Sequence, residues 1–184
     1  MSLLKLHPEV DPQAGFCFGV VYAIEMAEQV LDREGKLYCL GDIEHNDEEV
    51  KRLKAKGLRI ISQDDLHHLQ NEKVLIRAHG ESPLTYALAH KRNIKILDAS
   101  CPVVLKLQES IHNASKEDAP IYIYGKPTHP EVIGLIGQVK NAVVFQDIEE
   151  IDIKCLPRKL ILYSQTTKSV DKFYETVRIF KKRA

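Results

Sequence analysis

The sequence has 184 residues, 44% of them hydrophobic, and its 26 lysine and arginine residues balance 26 aspartate and glutamate residues. Such a chain can bury its own core without disulfide bonds, and its balanced charge argues against nucleic-acid binding, which calls for a basic surface. No apolar stretch is long enough to span a membrane and no signal peptide is apparent, so we expect a cytoplasmic protein whose four cysteines stay reduced.

In chain order, the pattern predicts first a helix in "AIEMAEQVLDREG", where Ile24, Ala27 and Val30 recur at helical spacing and Gly35 is a stop signal. Short β-branched runs then alternate with helical patterns, as in β-α-β units with a mostly parallel sheet. The predicted strands cover residues 36–42, 58–62, 73–78, 94–99, 120–125, 142–146 and 159–164. A last helix is predicted in "KSVDKFYETVRIFKKRA". The fold class is therefore α/β.

Four strands end in polar residues that lead directly into a helix: "YCLGDIEHNDEEV", "LIRAHGESPLTYA", "ILDASCPVVLK" and "IYIYGKPTHPEVIG". Three of these helices have proline in their first position, which makes Ser82, Cys101 and His129 the cap residues. A helix N-terminus carries unpaired N–H groups and partial positive charge, and open parallel sheets bind ligands at the carboxyl ends of their strands. We therefore expect His45, His79, Cys101 and His129 at one rim, although His45 taken singly would be interpreted as a surface or capping residue.

Cys17 and Cys101 each precede a predicted helix, and a helix N-terminus favours the thiolate. Cysteine and histidine together are compatible with zinc or with a Cys-His hydrolase. However, the separation of the two cysteines fits no compact zinc motif, and a hydrolase would need only one such cysteine. A cluster or an anionic ligand held between several lobes fits better. Cys39, inside an apolar strand, is expected to be a small buried hydrophobe, and Cys155 has no predicted partner.

Six motifs, in order, carry a resemblance to a known family: "GFCFGV", "IEHN", "RAHGES", "DASCPVV", "THPEVIGLIGQ" and "SQTTKSVD". From about residue 8 onward the sequence resembles the 4-hydroxy-3-methylbut-2-enyl diphosphate reductases, the iron-sulfur enzymes that end the non-mevalonate route to isoprenoids. The resemblance implies reductive removal of a hydroxyl group with two electrons and protons, which gives isopentenyl and dimethylallyl diphosphates. It also implies a [4Fe-4S] cluster and a small electron-carrier protein such as ferredoxin or flavodoxin.

The resemblance also implies roles for individual residues. Cys17 and Cys101 correspond to cluster ligands, and the family's third cysteine belongs to a later lobe that this sequence does not contain. Substrate binding is implied for His45, His79, His129, Thr166 and Thr167. Catalysis is implied for Glu131, as the proton donor. It is also implied for Thr166, next to Gln165, which would contact the substrate or relay the proton. From the sequence pattern alone, Glu131 is equally well explained as a first-turn carboxylate that the helix dipole favours.

We expect two similar lobes, each a small mostly parallel sheet flanked by helices, at about residues 1–101 and 102–184. The sequence would then be the N-terminal two-lobe portion of a longer reductase, inactive by itself and with an incomplete cluster site. The alternative is a natural short homologue that binds an anionic ligand or a partner without redox chemistry. A coding region that continues past Ala184 to a cysteine and a Ser- and Asn-rich turn would favour the first interpretation.

Overall fold

The structure, a computed structural model, describes residues 9–11, 14–43 and 46–183. The first half contains α1 (Phe18–Glu34), β1 (Leu37–Leu40), α2 (Asp47–Ala55), β2 (Leu58–Ile61), α3 (Gln63–His68), β3 (Lys73–Ile76), α4 (Pro83–Lys91) and β4 (Lys95–Asp98). The second half contains α5 (Pro102–Ala114), β5 (Ile121–Tyr124), α6 (Pro130–Ile136), β6 (Ala142–Phe145), two short 3₁₀ turns (Ile148–Glu150 and Ile153–Cys155), β7 (Ile161–Ser164) and α7 (Val170–Arg183). The predicted α/β class is confirmed, and each described strand lies within a predicted one.

The first sheet has the strand order β2-β1-β3-β4, and every pairing within it is parallel. Alternate residues of its central strands are buried on opposite faces. Cys39 and Leu75 pack with α1 and α2 on one face, whereas Leu40 and Val74 pack with α3 and α4 on the other. Burial on both faces explains why these strands are continuous apolar runs in the sequence.

The second sheet has the order β6-β5-β7 and is also parallel in each pairing. Ile121 and Ile123 of β5 pack with α5 and α6 on one face. Tyr124, Phe145 and Phe180 form an aromatic cluster with α7 on the other face. The second sheet therefore has its own two-sided core, and the two-lobe architecture is confirmed.

The helix boundaries follow the local signals in the sequence. Gly35 ends α1 in the left-handed conformation, at φ +66°, as its place after the periodic pattern predicts. Proline occupies the first position of α4, α5 and α6, so that Ser82, Cys101 and His129 are the N-caps, as predicted. Among the described helices, none combines the length and apolar character needed to cross a bilayer.

Candidate functional site

The carboxyl ends of strands from both sheets bring polar residues together where the two lobes meet. His79 follows β3, and His129 follows β5 and caps α6. Their rings are 5.3 Å apart between centroids and meet edge to face at 79°. Of the other predicted rim residues, Cys101 follows β4, whereas His45 lies outside the described residues.

His129 is oriented by the helix that it caps. Its Nδ1 atom accepts a hydrogen bond from the backbone N–H of Glu131, at 3.2 Å. In the neutral ring the proton therefore resides on Nε2, which makes that atom a donor. The ring is half-buried, and so is the ring of His79. Two histidines from different lobes thus form one pair at the interlobe rim.

Glu131 follows His129 by two residues, in the first turn of α6. Its side chain is almost fully buried, with 2% of the residue exposed. One carboxylate oxygen accepts from the backbone N–H of Thr166 and the other accepts from the Thr166 hydroxyl, both at 2.7 Å. Thr166 itself is exposed. The arrangement links a buried carboxyl group to the surface of the rim through one hydroxyl group.

The turn after β7 is held by Gln165, which is buried beside Thr166. The side-chain amide of Gln165 donates to the hydroxyl of Thr167 at 2.7 Å, and its carbonyl accepts from the backbone N–H of Lys126 at 3.0 Å. Lys126 belongs to the loop that leads from β5 to His129. These bonds fix the Thr166–Thr167 turn against the loop that carries the second histidine.

The two predicted thiol ligands both occupy helix N-caps, and neither side chain accepts a capping hydrogen bond. Cys17, before α1, is exposed, and Cys101, before α5, is half-buried. The first turn of α1 lies against Cys101, since a Cβ atom on Gly19 would be 3.3 Å from its Sγ. A glycine at this position therefore lets the helix that follows Cys17 approach Cys101 closely.

Two residues that the sequence left without a role hold the turn before Cys101. The Asp98 carboxylate accepts from the backbone N–H of Ser100 and from the Tyr86 hydroxyl, both at 2.9 Å. Burial raises the pKa of the Tyr86 hydroxyl, so it stays protonated and can donate. An aspartate at the end of a strand and two residues before a serine is the signal of an Asx turn, which could have identified Asp98.

The turn after His79 is supported from below by Glu81, a buried carboxyl group that the sequence analysis also left unassigned. One of its oxygens accepts from the Gln63 amide at 2.9 Å and from the Thr85 hydroxyl at 3.2 Å. Burial raises the pKa of Glu81, an effect that the nearby Arg77 guanidinium partly opposes. The Glu81 side chain thereby connects α3 to α4 beneath the histidine.

The cysteines differ in their fitness as metal ligands. Cys17 and Cys101 have accessible, uncapped positions at helix N-termini and suit an iron-sulfur cluster, which is held by thiolates. Burial in the first sheet raises the pKa of Cys39 to about 12, so that residue is unsuited to ligation. Cys155 is exposed and donates to the Asp152 carboxylate at 3.0 Å. Within the described part of the chain, no three or more His, Cys, Asp and Glu side chains form a group that could hold a metal ion.

Comparison with known proteins gives a consistent picture. The family described as LytB protein matches residues 10–184. The 4-hydroxy-3-methylbut-2-enyl diphosphate reductase of Bacteroides thetaiotaomicron is 51% identical over 178 residues, which are 94% of this chain and 62% of that protein. The enzyme of the same name from Parabacteroides distasonis is 51% identical over 180 residues, with 95% and 62% covered.

Solved structures agree with the sequence relatives. The E-1-hydroxy-2-methyl-but-2-enyl-4-diphosphate reductase from Plasmodium falciparum superposes with a TM-score of 0.84 at 30% identity, over 94% of this chain and 55% of that one. A structure of (E)-4-hydroxy-3-methyl-but-2-enyl diphosphate reductase, described as the terminal enzyme of the non-mevalonate pathway, gives 0.81 at 33% identity, with 94% and 63% covered. The chain therefore spans about 62% of the length of the first two curated relatives.

Proposed function

Because this chain belongs to the LytB protein family, we propose that it takes part in the reductive dehydroxylation of 4-hydroxy-3-methylbut-2-enyl diphosphate. The reaction breaks the allylic C–O bond, takes up two electrons and two protons, and releases water with isopentenyl or dimethylallyl diphosphate. The supporting observation is that the buried Glu131 is bonded to the exposed Thr166 beside the His79–His129 pair. A proton donor thus adjoins a site suited to an anion.

The diphosphate is assigned to the histidine pair. His129 caps α6, where backbone N–H groups and the helix dipole favour negative charge, and His79 lies beside it in the turn between β3 and α4. Both imidazole rings can present N–H donors. The Thr167 hydroxyl lies on the neighbouring exposed turn and accepts from Gln165, so its own proton is available as a further donor. The Thr166 hydroxyl donates to Glu131 and is assigned to the substrate's leaving oxygen. His45 is included in this proposed site on the basis of its motif. Together these groups would hold the substrate by its charged end.

Glu131 is assigned the proton for the leaving oxygen. When Glu131 carries a proton, its bond with Thr166 is reversed from the one in the structure, where the Thr166 hydroxyl donates. The carboxyl O–H then donates to the Thr166 hydroxyl and passes its proton to it, while that hydroxyl gives its own proton to the substrate oxygen, so that water leaves. The burial of Glu131 keeps bulk water from competing for this proton. The backbone bond from Thr166 to the other carboxylate oxygen holds the donor in place.

Cys17 and Cys101 are assigned to a [4Fe-4S] cluster, for which the resemblance to the family implies a further cysteine ligand. When bound, the cluster supplies the two electrons, which a small carrier protein such as ferredoxin or flavodoxin would deliver. In this proposal the chain's own contribution is to place two thiolates at adjoining helix starts. The close approach permitted by Gly19 supports that assignment.

Pyrophosphate binding tests the anion site without any redox chemistry. Calorimetry with the 184-residue chain is expected to show binding that strengthens from pH 8 to pH 6, because imidazole rings gain a proton in this range. A hydrogen bond to a charged group contributes about 1.5 to 3 kcal/mol, so His79→Ala and His129→Ala should each weaken binding roughly 10- to 100-fold. The matched control is His112→Ala, because this histidine is exposed on α5.

Two results would count against the proposed function. One is the absence of binding at pH 6, and the other is binding that neither rim substitution affects. Anaerobic turnover by the protein encoded by the complete reading frame tests the redox step. Pyrophosphate binding without turnover, in a protein loaded with iron, would favour the anion-binding alternative.

A further inference from the structure

A buried glutamine connects the two lobes at the base of the histidine pair. Gln108 lies in α5, which packs against α6 in the second lobe, and only 7% of the residue is exposed. Its side-chain amide points into the first lobe and donates to the backbone carbonyl of Glu81, two residues after His79. A buried amide is costly unless it is hydrogen-bonded. The need for a partner therefore fixes the orientation of this side chain, whereas an apolar side chain has no such requirement.

Two glycines, one in each lobe, make room for this amide. A Cβ atom on Gly80 would lie 2.7 Å from Nε2 of Gln108, and a Cβ atom on Gly134 would lie 3.0 Å from it. Gly80 also has a φ of +68°, which L-residues with side chains rarely adopt. The amide is therefore enclosed between the turn that carries His79 and the helix that His129 caps.

The same turn and helix also touch directly. Gly134 faces the carbonyl group of Gly80, 3.6 Å from where its Cβ would be, and a Cβ on Gly137 would lie 2.4 Å from the Cβ of Ser82. Gly134 and Gly137, the C-cap residue of α6, are three positions apart and therefore lie on the same side of the helix, which rests against the turn after β3. The position of α6 relative to this turn determines where His129 stands relative to His79.

We infer that Gln108 is a positioning residue that sets the separation of His79 and His129 by tying the turn after His79 to α6. Through the two glycines and the bond to the Glu81 carbonyl, its amide holds residues of both lobes in one contact. The consequence for diphosphate binding rests on the proposed function, whereas the consequence for the distance between the two rings does not. Gln108 does not itself contact the proposed ligand.

The test compares Gln108→Met with Gln138→Met in the 184-residue chain. Methionine keeps the unbranched shape of glutamine and removes only the amide. Gln138 is the matched control because its amide donates to the carbonyl of Gly134, at 3.1 Å, within the second lobe alone. Two quantities are measured: the nuclear Overhauser effect between the ring protons of His79 and His129, and the pyrophosphate dissociation constant at pH 6.

For Gln108→Met we expect a weaker nuclear Overhauser effect between the two rings. The pyrophosphate affinity should fall roughly 2- to 10-fold, which is the effect of losing one neutral hydrogen bond. The control should keep both at the wild-type level. If Gln108→Met fails to fold, Gly134→Ala provides a second test, because its methyl group would lie 3.0 Å from Nε2 and force the amide to shift away from the Glu81 carbonyl or α6 away from the turn. An unchanged ring-to-ring signal in the folded variant would overturn the inference. A wild-type chain that shows the ring signal but binds no pyrophosphate would overturn the proposed function and leave the inference intact.

Discussion

At the scale of single residues, Glu131 shows what a sequence pattern can and cannot determine. Its place after the His129 cap and Pro130 predicted a carboxylate in the first turn of a helix, and the structure confirms that position. The contact with Thr166 was only an implication of the resemblance, and burial was not predicted at all. A first-turn glutamate is normally exposed to water, whereas here the turn after β7 covers it. Such cover comes from a distant part of the chain and leaves no local signal.

Glu131→Gln is expected to reduce kcat roughly 10²- to 10⁴-fold in the protein encoded by the complete reading frame. The amide cannot deliver the proton, but it keeps the local contacts. Its carbonyl can accept from the Thr166 N–H, and its NH₂ can donate to the Thr166 hydroxyl, which accepts as well as donates. Single-turnover assays, with the iron content measured on the same sample, separate this effect from loss of the cluster.

The control for this prediction is Glu109→Gln, because Glu109 is an exposed carboxylate on α5 and should leave turnover unchanged. Thr166→Val should also lower kcat, since it removes the hydroxyl group through which the proton would pass. A value of kcat within a few-fold of the wild type for Glu131→Gln would remove Glu131 from the mechanism. Its role would then be the stabilisation of α6 alone.

At the scale of elements, alternation and helix signals predicted the strands and helix starts well. All seven predicted strands are present, but each has only four residues, because the terminal residues of the apolar runs lie beyond the paired segments. The run at 36–42, for example, pairs only from Leu37 to Leu40, and Gly41 then turns away with a φ of +74°. Helix α1 begins earlier than the periodic pattern, since the exposed Phe18 adds nothing to that pattern.

The packing of α6 against the turn after β3 was not predicted. Gln108 and Gly134 fit ordinary helical patterns, and neither indicates that α6 rests on the turn after β3. The motifs nevertheless placed His79 and His129 at equivalent strand ends, and the structure brings them together. The close contact depends on glycines that allow two backbones to approach, and hydrophobic periodicity does not register such residues.

The link between α3 and α4 should depend on pH through Glu81. Because burial raises its pKa above the value in the unfolded chain, its contribution to the free energy of unfolding is fully present below about pH 4.5. That contribution is lost as the pH rises through the raised pKa. Glu81→Gln should keep an acceptor for the Gln63 and Thr85 bonds and remove this loss. Urea unfolding should show the variant gaining stability over the wild type as the pH rises from 4 to 8.

Glu28 provides a control whose pKa is shifted in the opposite direction. Hydrogen bonds from Arg52 and Lys56 lower its pKa to about 2, so its contribution is present above about pH 4.5 and is lost as the pH falls towards 2. Glu28→Gln should therefore cost about 0 to 1 kcal/mol at neutral pH, as partly exposed ion pairs do, and nothing in strong acid. The difference in free energy of unfolding between each variant and the wild type is measured against pH. If this difference changed in the same direction for Glu81→Gln and Glu28→Gln, the assignment of the raised pKa to Glu81 would be contradicted.

At the scale of the whole molecule, the two lobes repeat one arrangement. In each, the first strand lies between the second and third strands in parallel, as the orders β2-β1-β3 and β6-β5-β7 show. Each sheet begins with a β-α-β unit, β1-α2-β2 and β5-α6-β6, and in each the third strand pairs with the first, although β6 and β7 are joined by 3₁₀ turns rather than by a helix. Parallel strands place their carboxyl ends at one edge of a sheet, where ligands bind. We propose the boundary between residues 101 and 102, because α5 contributes Ile111 and Ala114 to the core of the second lobe.

The proposed cluster site makes a final prediction about the 184-residue chain. Fe–S clusters are typically held by four protein ligands, and we assign only Cys17 and Cys101 to this role. Anaerobic reconstitution should therefore give substoichiometric iron, of which only a part is retained on gel filtration, with little visible absorbance. Cys17→Ser or Cys101→Ser should reduce the retained iron to background, whereas Cys155→Ser should not, because that thiol is bonded to Asp152. If a stable, stoichiometric cluster survived both Cys17→Ser and Cys101→Ser, other residues would hold the iron, and the assignment of these two thiols would be wrong.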